Sequence, residues 1–271
     1  MAGESKRRSF LKHLLSFTAF GAGTVLALKN NTGDKIVSLE PAKADAAVSS
    51  GKKAKSLEER IAALEAVHDV QELMSRYFHY HTVCLNKRCY DELFAHKTPD
   101  VSAEIANWGK WEGPENVKTF FYKVLGGDVK PEDRVGMMML HQLDTPSIQV
   151  AGDGKTAKGV WYSPGNESAV DKKTGKGNAS WCWSYIASDF IKEDGVWKIW
   201  HYHCYALFKT PFDQPWTELT DQTATPAPTY PDGEGPNKPT TYFHEYRTTN
   251  SRELVPAPPM PYETFDPSKA Y

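Results

Sequence analysis

Ala179–Ile191, ASWCWSYIASDFI, and Val196–Phe208, VWKIWHYHCYALF, are two strand-like runs separated by Lys192-Glu193-Asp194-Gly195. Their apolar and aromatic residues recur with a period of two, and Asp-Gly between such runs signals a tight β-hairpin turn. Alternation along the second run puts Trp197, Ile199, His201, His203, Tyr205 and Leu207 on one face and Trp200 and Tyr202 on the other. The first face is expected to line the interior of the domain. The second is expected to be a dimer surface or to be covered by the C-terminal residues.

Upstream, Met137–Val150 and Lys155–Tyr162 form a second hairpin signal around Gly152-Asp153-Gly154. Before that the period is helical. Leu57, Ile61, Leu64, Val67, Val70, Met74, Tyr77 and His81 recur at three- and four-residue steps. Ser56 with Glu58 and Glu59 suits the N-terminus of this helix, which should run to about Leu85. A short helix over Arg88–Ala95 turns Tyr90, Leu93 and Phe94 inward, and Val101–Trp111 reads as a strand. Pro114 then opens a third helix that stops at Gly126-Gly127. Three helices followed by a long antiparallel meander predict an α+β domain over residues 56–210. In it the helices cover one face of a curved sheet.

The ends of the chain read differently. Prolines 211, 215, 226, 228, 231, 236 and 239 exclude regular helix or central strand from residues 211–271. Tyr242–Tyr246 and Pro259–Tyr262 nonetheless carry apolar anchors, so an extended arm on the domain or on a partner subunit is expected, with disorder as the alternative. At the other end, Lys6-Arg7-Arg8-Ser9-Phe10-Leu11-Lys12 resembles a twin-arginine export signal. The apolar run after it, Leu14–Leu28, is shorter than the roughly 20 residues a membrane span needs. Small residues around Ala44 suit a cleavage site. Residues 1–46 are therefore expected to be a leader and 47–55 a linker, with the folded protein acting outside the cytoplasm: periplasm, cell envelope or medium. The alternative is a basic amphipathic helix of a cytosolic protein. No cysteine precedes Cys84, which argues against a lipid anchor.

The whole chain carries −2; residues 1–46 hold seven basic and four acidic residues, so the remainder carries −5. A mildly acidic protein without a basic stripe is not expected to bind nucleic acid or anionic membranes. Cys84, Cys89, Cys182 and Cys204 contain no C-x-x-C pair. For Cys182 and Cys204, near-opposite across the predicted hairpin, a disulfide and two free buried thiols both fit. No phosphate loop, nucleophile elbow or dinucleotide fingerprint is present.

Four features resemble the SnoaL-like families of the nuclear transport factor 2-like superfold over about residues 56–208. They are the helix–helix–strand–helix–four-strand order, Arg76-Tyr77 late in the first helix, Met139–Asp144 entering a long strand, and Trp197–His203 in the last. The tail Leu254–Thr264 is similar to that of longer members. The resemblance implies a cone enclosing an apolar pocket for a cyclic or aromatic small molecule. It also implies proton-transfer chemistry without a cofactor, as in polyketide cyclases, scytalone dehydratase and ketosteroid isomerase. On this basis His141 is the expected base, with Tyr77 and His81 polarising a carbonyl or leaving hydroxyl and His203 as a second proton carrier. His201, Trp108, Trp161, Trp183 and Tyr205 are the expected substrate contacts. The family pattern has an aspartate five residues after the helix tyrosine, where this chain has Thr82. His-x-His geometry also suits metal, but no metal is expected from the resemblance. A non-catalytic carrier of hydrophobic molecules and an accessory subunit of an exported redox complex are the competing readings. A homodimer is expected from the exposed aromatic face.

Overall fold

A computed structural model describes residues 55–218, 229–230 and 233–271. The leader and nearly all of the linker lie outside the described residues. Helix α1, Leu57–Thr82, opens with a capping box: Glu59 N–H donates to Ser56 Oγ (3.2 Å) and Ser56 N–H to Glu59 Oε2 (2.6 Å). Its buried stripe is Ala66, Val70, Leu73, Met74, Tyr77 and Phe78. Leu57, Ile61 and Leu64 share the apolar periodicity but stand exposed. Among the described residues, no helix is long and apolar enough to cross a membrane.

Helix α2 comprises Asn86–Arg88 and a π-helical turn, Cys89–Leu93. Buried Asn86 ties it to the turn at Leu125–Gly127 by donating to the carbonyls of Leu125 (2.8 Å) and Gly127 (2.9 Å). The single strand expected over 101–111 is instead a hairpin of β1, Ser102–Ile105, and β2, Lys110–Glu112. Ala106 and Gly109 take positive φ (47° and 104°) in its turn, a break that strand periodicity does not reveal. Helix α3, Pro114–Thr119 with a π-helical turn at Phe120–Val124, begins at Pro114 as expected.

The remaining strands are β3, Met138–His141; β4, Asp144–Val150; β5, Thr156–Val170; β6, Gly177–Glu193; and β7, Val196–Pro211. The sheet runs β2-β1-β7-β6-β5-β3, with β4 also on the edge of β5. β1 lies parallel to β7, and the other pairs are antiparallel. The β6–β7 turn has Asp194 and Gly195 at φ 52° and 81°, as Asp-Gly predicts. The concave face holds α1 over Phe94, Phe121, Trp161, Phe190 and Ile199, all at most 1% exposed. Each such phenylalanine contributes about 1.5–3 kcal/mol by leaving water.

Two β-bulges in β7 overturn the face assignment made from alternation. Asp189 pairs with His201 but Phe190 with Ile199, so Trp200 is an extra residue; Leu207 is another, between Trp183↔Phe208 and Ser184↔Ala206. One inserted residue transfers every later side chain to the opposite face. Trp197 and Ile199 therefore face inward, and so do Tyr202, Cys204 and Ala206. His201, His203 and Tyr205 face outward.

The outer face is covered by the C-terminal residues. Thr241 donates through N–H (2.6 Å) and Oγ1 (2.8 Å) to the Glu104 carboxylate, and Tyr246 N–H donates to Leu207 O (2.7 Å). Gly152 and Asp153 donate to the carbonyls of Tyr262 and Glu263. Phe265 packs on Trp200, ring centroids 4.4 Å apart, and Tyr271 N–H reaches Asp189 Oδ2 (3.0 Å). Trp200 and Tyr202 are buried within the chain, which removes the exposed aromatic face on which the dimer expectation rested.

Candidate active site

Between α1 and the inner face of the sheet lies a strip of small side chains: Ser163 and Gly165 from β5, Cys182 and Ser184 from β6, and Cys204 and Ala206 from β7. Facing them, α1 presents Tyr77, Phe78 and His81, and β3 presents His141. Cys204, His81 and His141 face inward yet remain partly exposed.

His81 and His141 stand side by side, ring centroids 5.3 Å apart. Burial, with the neighbouring His141 charge, lowers His81 to about 4, so it is neutral at physiological pH. His141 Nε2 lies 3.4 Å from Glu167 Oε1, and Lys209 closes an ion pair with Oε2. Burial acts to raise the Glu167 carboxyl, but His141 and Lys209 outweigh it and hold it down to about 2. Lys209 reaches this cluster because the Leu207 bulge sets it opposite Cys182 on the inner face. Deeper in, the Tyr77 and Tyr202 rings approach to 4.9 Å and their hydroxyls interact. Burial pushes both phenols well above their ordinary range, so both stay protonated.

Of the residues expected from sequence, Tyr77, His81 and His141 come together here. Trp161 faces inward but is fully buried beneath α1, donating Nε1–H to Gln71 Oε1 (3.0 Å). The others lie elsewhere. His203, on the outer face, stacks on Tyr205 (centroids 3.7 Å) with Nε2 3.4 Å from Glu104. Burial, then the Lys110 charge, lowers it to about 3. His201 pairs through Nδ1 with Asp189 (2.8 Å). Trp183 is 44% exposed on the outer face, against Phe208. Trp108 sits in the β1–β2 turn, its carbonyl accepting from Tyr230 (2.8 Å). Cys182 and Cys204 are free thiols; their strand partners are Lys209 and Ile186, so they are not opposite one another.

Thr82, in the position of the missing acid, donates Oγ1–H back to the Phe78 carbonyl (2.9 Å). The carboxylate of the site comes from Glu167 instead. Neither Glu167 nor Lys209 follows from motif spacing, because Pro164-Gly165 reads as the end of a strand that in fact continues through it. Gly165 matters for its own reason. A Cβ there would stand 2.4 Å from His141 Nδ1 and 3.0 Å from Cys182 O. Gly165→Ala is therefore expected to displace the His141 ring at a cost of about 1–3 kcal/mol. Urea unfolding and a structure of the variant would check it; an unmoved ring at unchanged stability would contradict this packing.

The profile of the SnoaL-like domain family matches residues 62–203, just over half of the chain. The chain belongs to the SnoaL-like family. Its α+β architecture, with helices preceding a curved, unclosed sheet, agrees with the fold expected from sequence. Among solved structures, this SnoaL-like chain is similar to a putative scytalone dehydratase from Novosphingobium aromaticivorans DSM 12444 (12% identity, 64% of this chain and 99% of that one, TM-score 0.45). It is also similar to a type 2 hexachlorocyclohexane dehydrochlorinase (17%, 63% and 98%, TM-score 0.41). A third is a nuclear transport factor 2-like protein from Salmonella enterica subsp. enterica serovar Typhimurium str. LT2 (18%, 56% and 99%, TM-score 0.41). No curated protein matches the SnoaL-like chain in sequence.

Proposed function

We propose that this SnoaL-like protein is a lyase or isomerase that needs no cofactor and moves a proton beside a carbonyl on a cyclic, hydroxylated small molecule. The observation that carries the reading is the convergence of His81, His141, Glu167 and the buried Tyr77–Tyr202 pair on one inner face. Glu167, held ionised, faces His141 Nε2 and orients the ring. The 3.4 Å separation is long for a hydrogen bond, and such contacts tighten when substrate fills a site. In a β-hydroxyketone His141 takes the proton α to the carbonyl. The C–H electrons pass to the carbonyl oxygen as an enolate; when the carbonyl re-forms, the new C=C bond forms as the C–O bond breaks, and the same proton leaves with the hydroxyl as water. Tyr77 and the neutral His81 donate hydrogen bonds to the oxygen on which enolate charge develops. His203 has no part in this chemistry, being on the other face of the sheet. The twin-arginine resemblance supports placing the activity outside the cytoplasm.

The test is to incubate the full chain in D₂O with a panel of hydroxylated steroids, phenolics and cyclic β-hydroxyketones. Mass spectrometry then follows deuterium gain and water loss. At least one class should exchange or dehydrate. Binding without either reaction would overturn the enzyme reading in favour of a carrier of hydrophobic molecules.

A further inference from the structure

We propose that His141, Glu167 and Cys182 also form a three-ligand site for a zinc-type divalent cation, whose binding shuts off proton transfer at His141. The proposal rests on the functional reading only for that last consequence; the site itself stands on geometry. The Nδ1/Nε2, carboxylate and Sγ atoms that these residues offer lie within 4.8 Å of one another. His141 Nε2 and Glu167 Oε1 are 3.4 Å apart. That is longer than ordinary N–H···O hydrogen bonds. It equals the separation, about 3.3–3.4 Å, of two ligands each held about 2.0–2.1 Å from a tetrahedral ion. Imidazole nitrogen, carboxylate oxygen and thiolate sulfur are all zinc donors, and three protein ligands leave a fourth position for water.

Two further features fit. Lys209 engages only Oε2 of Glu167, so it holds the carboxylate from behind and leaves Oε1 toward the histidine and thiol. Outer-shell contacts of this kind commonly orient metal-binding carboxylates. The carboxylates of the other buried histidine–carboxylate pairs are more fully engaged by hydrogen-bond donors. Asp189 already accepts from Lys158, His201 and Tyr271, and Glu104 accepts twice from Thr241. On binding the Cys182 proton leaves to solvent, so thiolate and carboxylate together offset the dication, and with the Lys209 ammonium at Glu167 Oε2 the occupied cluster carries one net positive charge.

The experiment is titration of the full chain, first stripped with EDTA, with Co²⁺ as the spectroscopic stand-in for zinc. One ion should bind per chain, with a near-ultraviolet thiolate-to-cobalt charge-transfer band. Cys182→Ser should remove the band, and Lys209→Met should weaken binding by about 10–100-fold. Cys84→Ser, in a cysteine outside the cluster, should change neither. Circular dichroism confirms that each variant is folded, and Glu167→Gln provides an independent ligand test, with at least about 10-fold weaker binding expected. Absence of stoichiometric binding, or a band that survives Cys182→Ser, overturns the site. The two readings fail separately. Stoichiometric binding in a protein that never exchanges deuterium sinks the lyase reading and leaves the metal site standing. Exchange by the stripped protein that zinc does not inhibit overturns the proposed shut-off.

Discussion

Replacing Asp189 with alanine is expected to lower stability by about 3–5 kcal/mol and to release the C-terminal residues from the sheet. Asp189 is fully buried on the outer face of β6 and receives Lys158 Nζ (2.5 Å), His201 Nδ1 (2.8 Å) and the N–H of Tyr271 (3.0 Å). Lys158 is itself buried, capped by the Lys269 carbonyl (2.7 Å) and lying under the Phe265 and Tyr271 rings. Taking away the carboxylate strands an ammonium in a poorly hydrated place. That penalty, rather than the net worth of the ion pair, sets the size of the effect. The second substitution Lys158→Met should recover part of the loss, because it removes the stranded charge. Urea unfolding measures the stability, and hydrogen exchange over residues 262–271 reports release of the chain end. A loss below about 1 kcal/mol with unchanged protection would show that this cluster does not hold the C-terminus.

The largest effect on activity is expected at His141. His141→Ala should reduce the deuterium exchange or dehydration of whichever substrate class the panel reveals by about 10²–10⁴-fold, the range for loss of a positioned base. The ring is partly exposed and the backbone of β3 is unchanged, so the fold should persist and the loss should fall on turnover. His203→Ala is the informative companion. That residue is as buried as any in the core and its loss should destabilise the protein, yet exchange per folded molecule should stay within a few-fold. If the two variants lost turnover equally, the assignment of inner and outer faces in β7 would be wrong. Measuring exchange beside the thermal midpoint for both separates the cases.

That assignment also marks where reading the sequence stops. The helical period of α1 already put Tyr77 and His81 on one face, since residues four apart on a helix meet whatever packs against it. The hairpins at Gly152-Asp153-Gly154 and Asp194-Gly195 were legible because backbone with positive φ demands such residues. The outward apolar residues Leu57, Ile61 and Leu64 were not: periodicity shows that a face is apolar, not how far the opposing sheet extends. Glu167 was hidden because Pro164-Gly165 looks like a strand end. β5 continues only because β6 pairs with it residue by residue as far as Val170↔Gly177.

By itself the sequence determined the three helices, the two later hairpin turns, the α+β class, and the candidates Tyr77, His81 and His141, but not the breaks that divide residues 101–112 and 138–150 into two strands each. The legible parts follow from periodicity, turn chemistry and a family pattern, all of which are local or linear. Only the tertiary structure decided which β7 residues reach the interior. Bulges at Trp200 and Leu207 exist in the pairing with β6 and leave no mark in the alternation of β7. One extra residue moved His201 and His203 out to anchor the C-terminal arm, and the second brought Lys209 in behind Glu167.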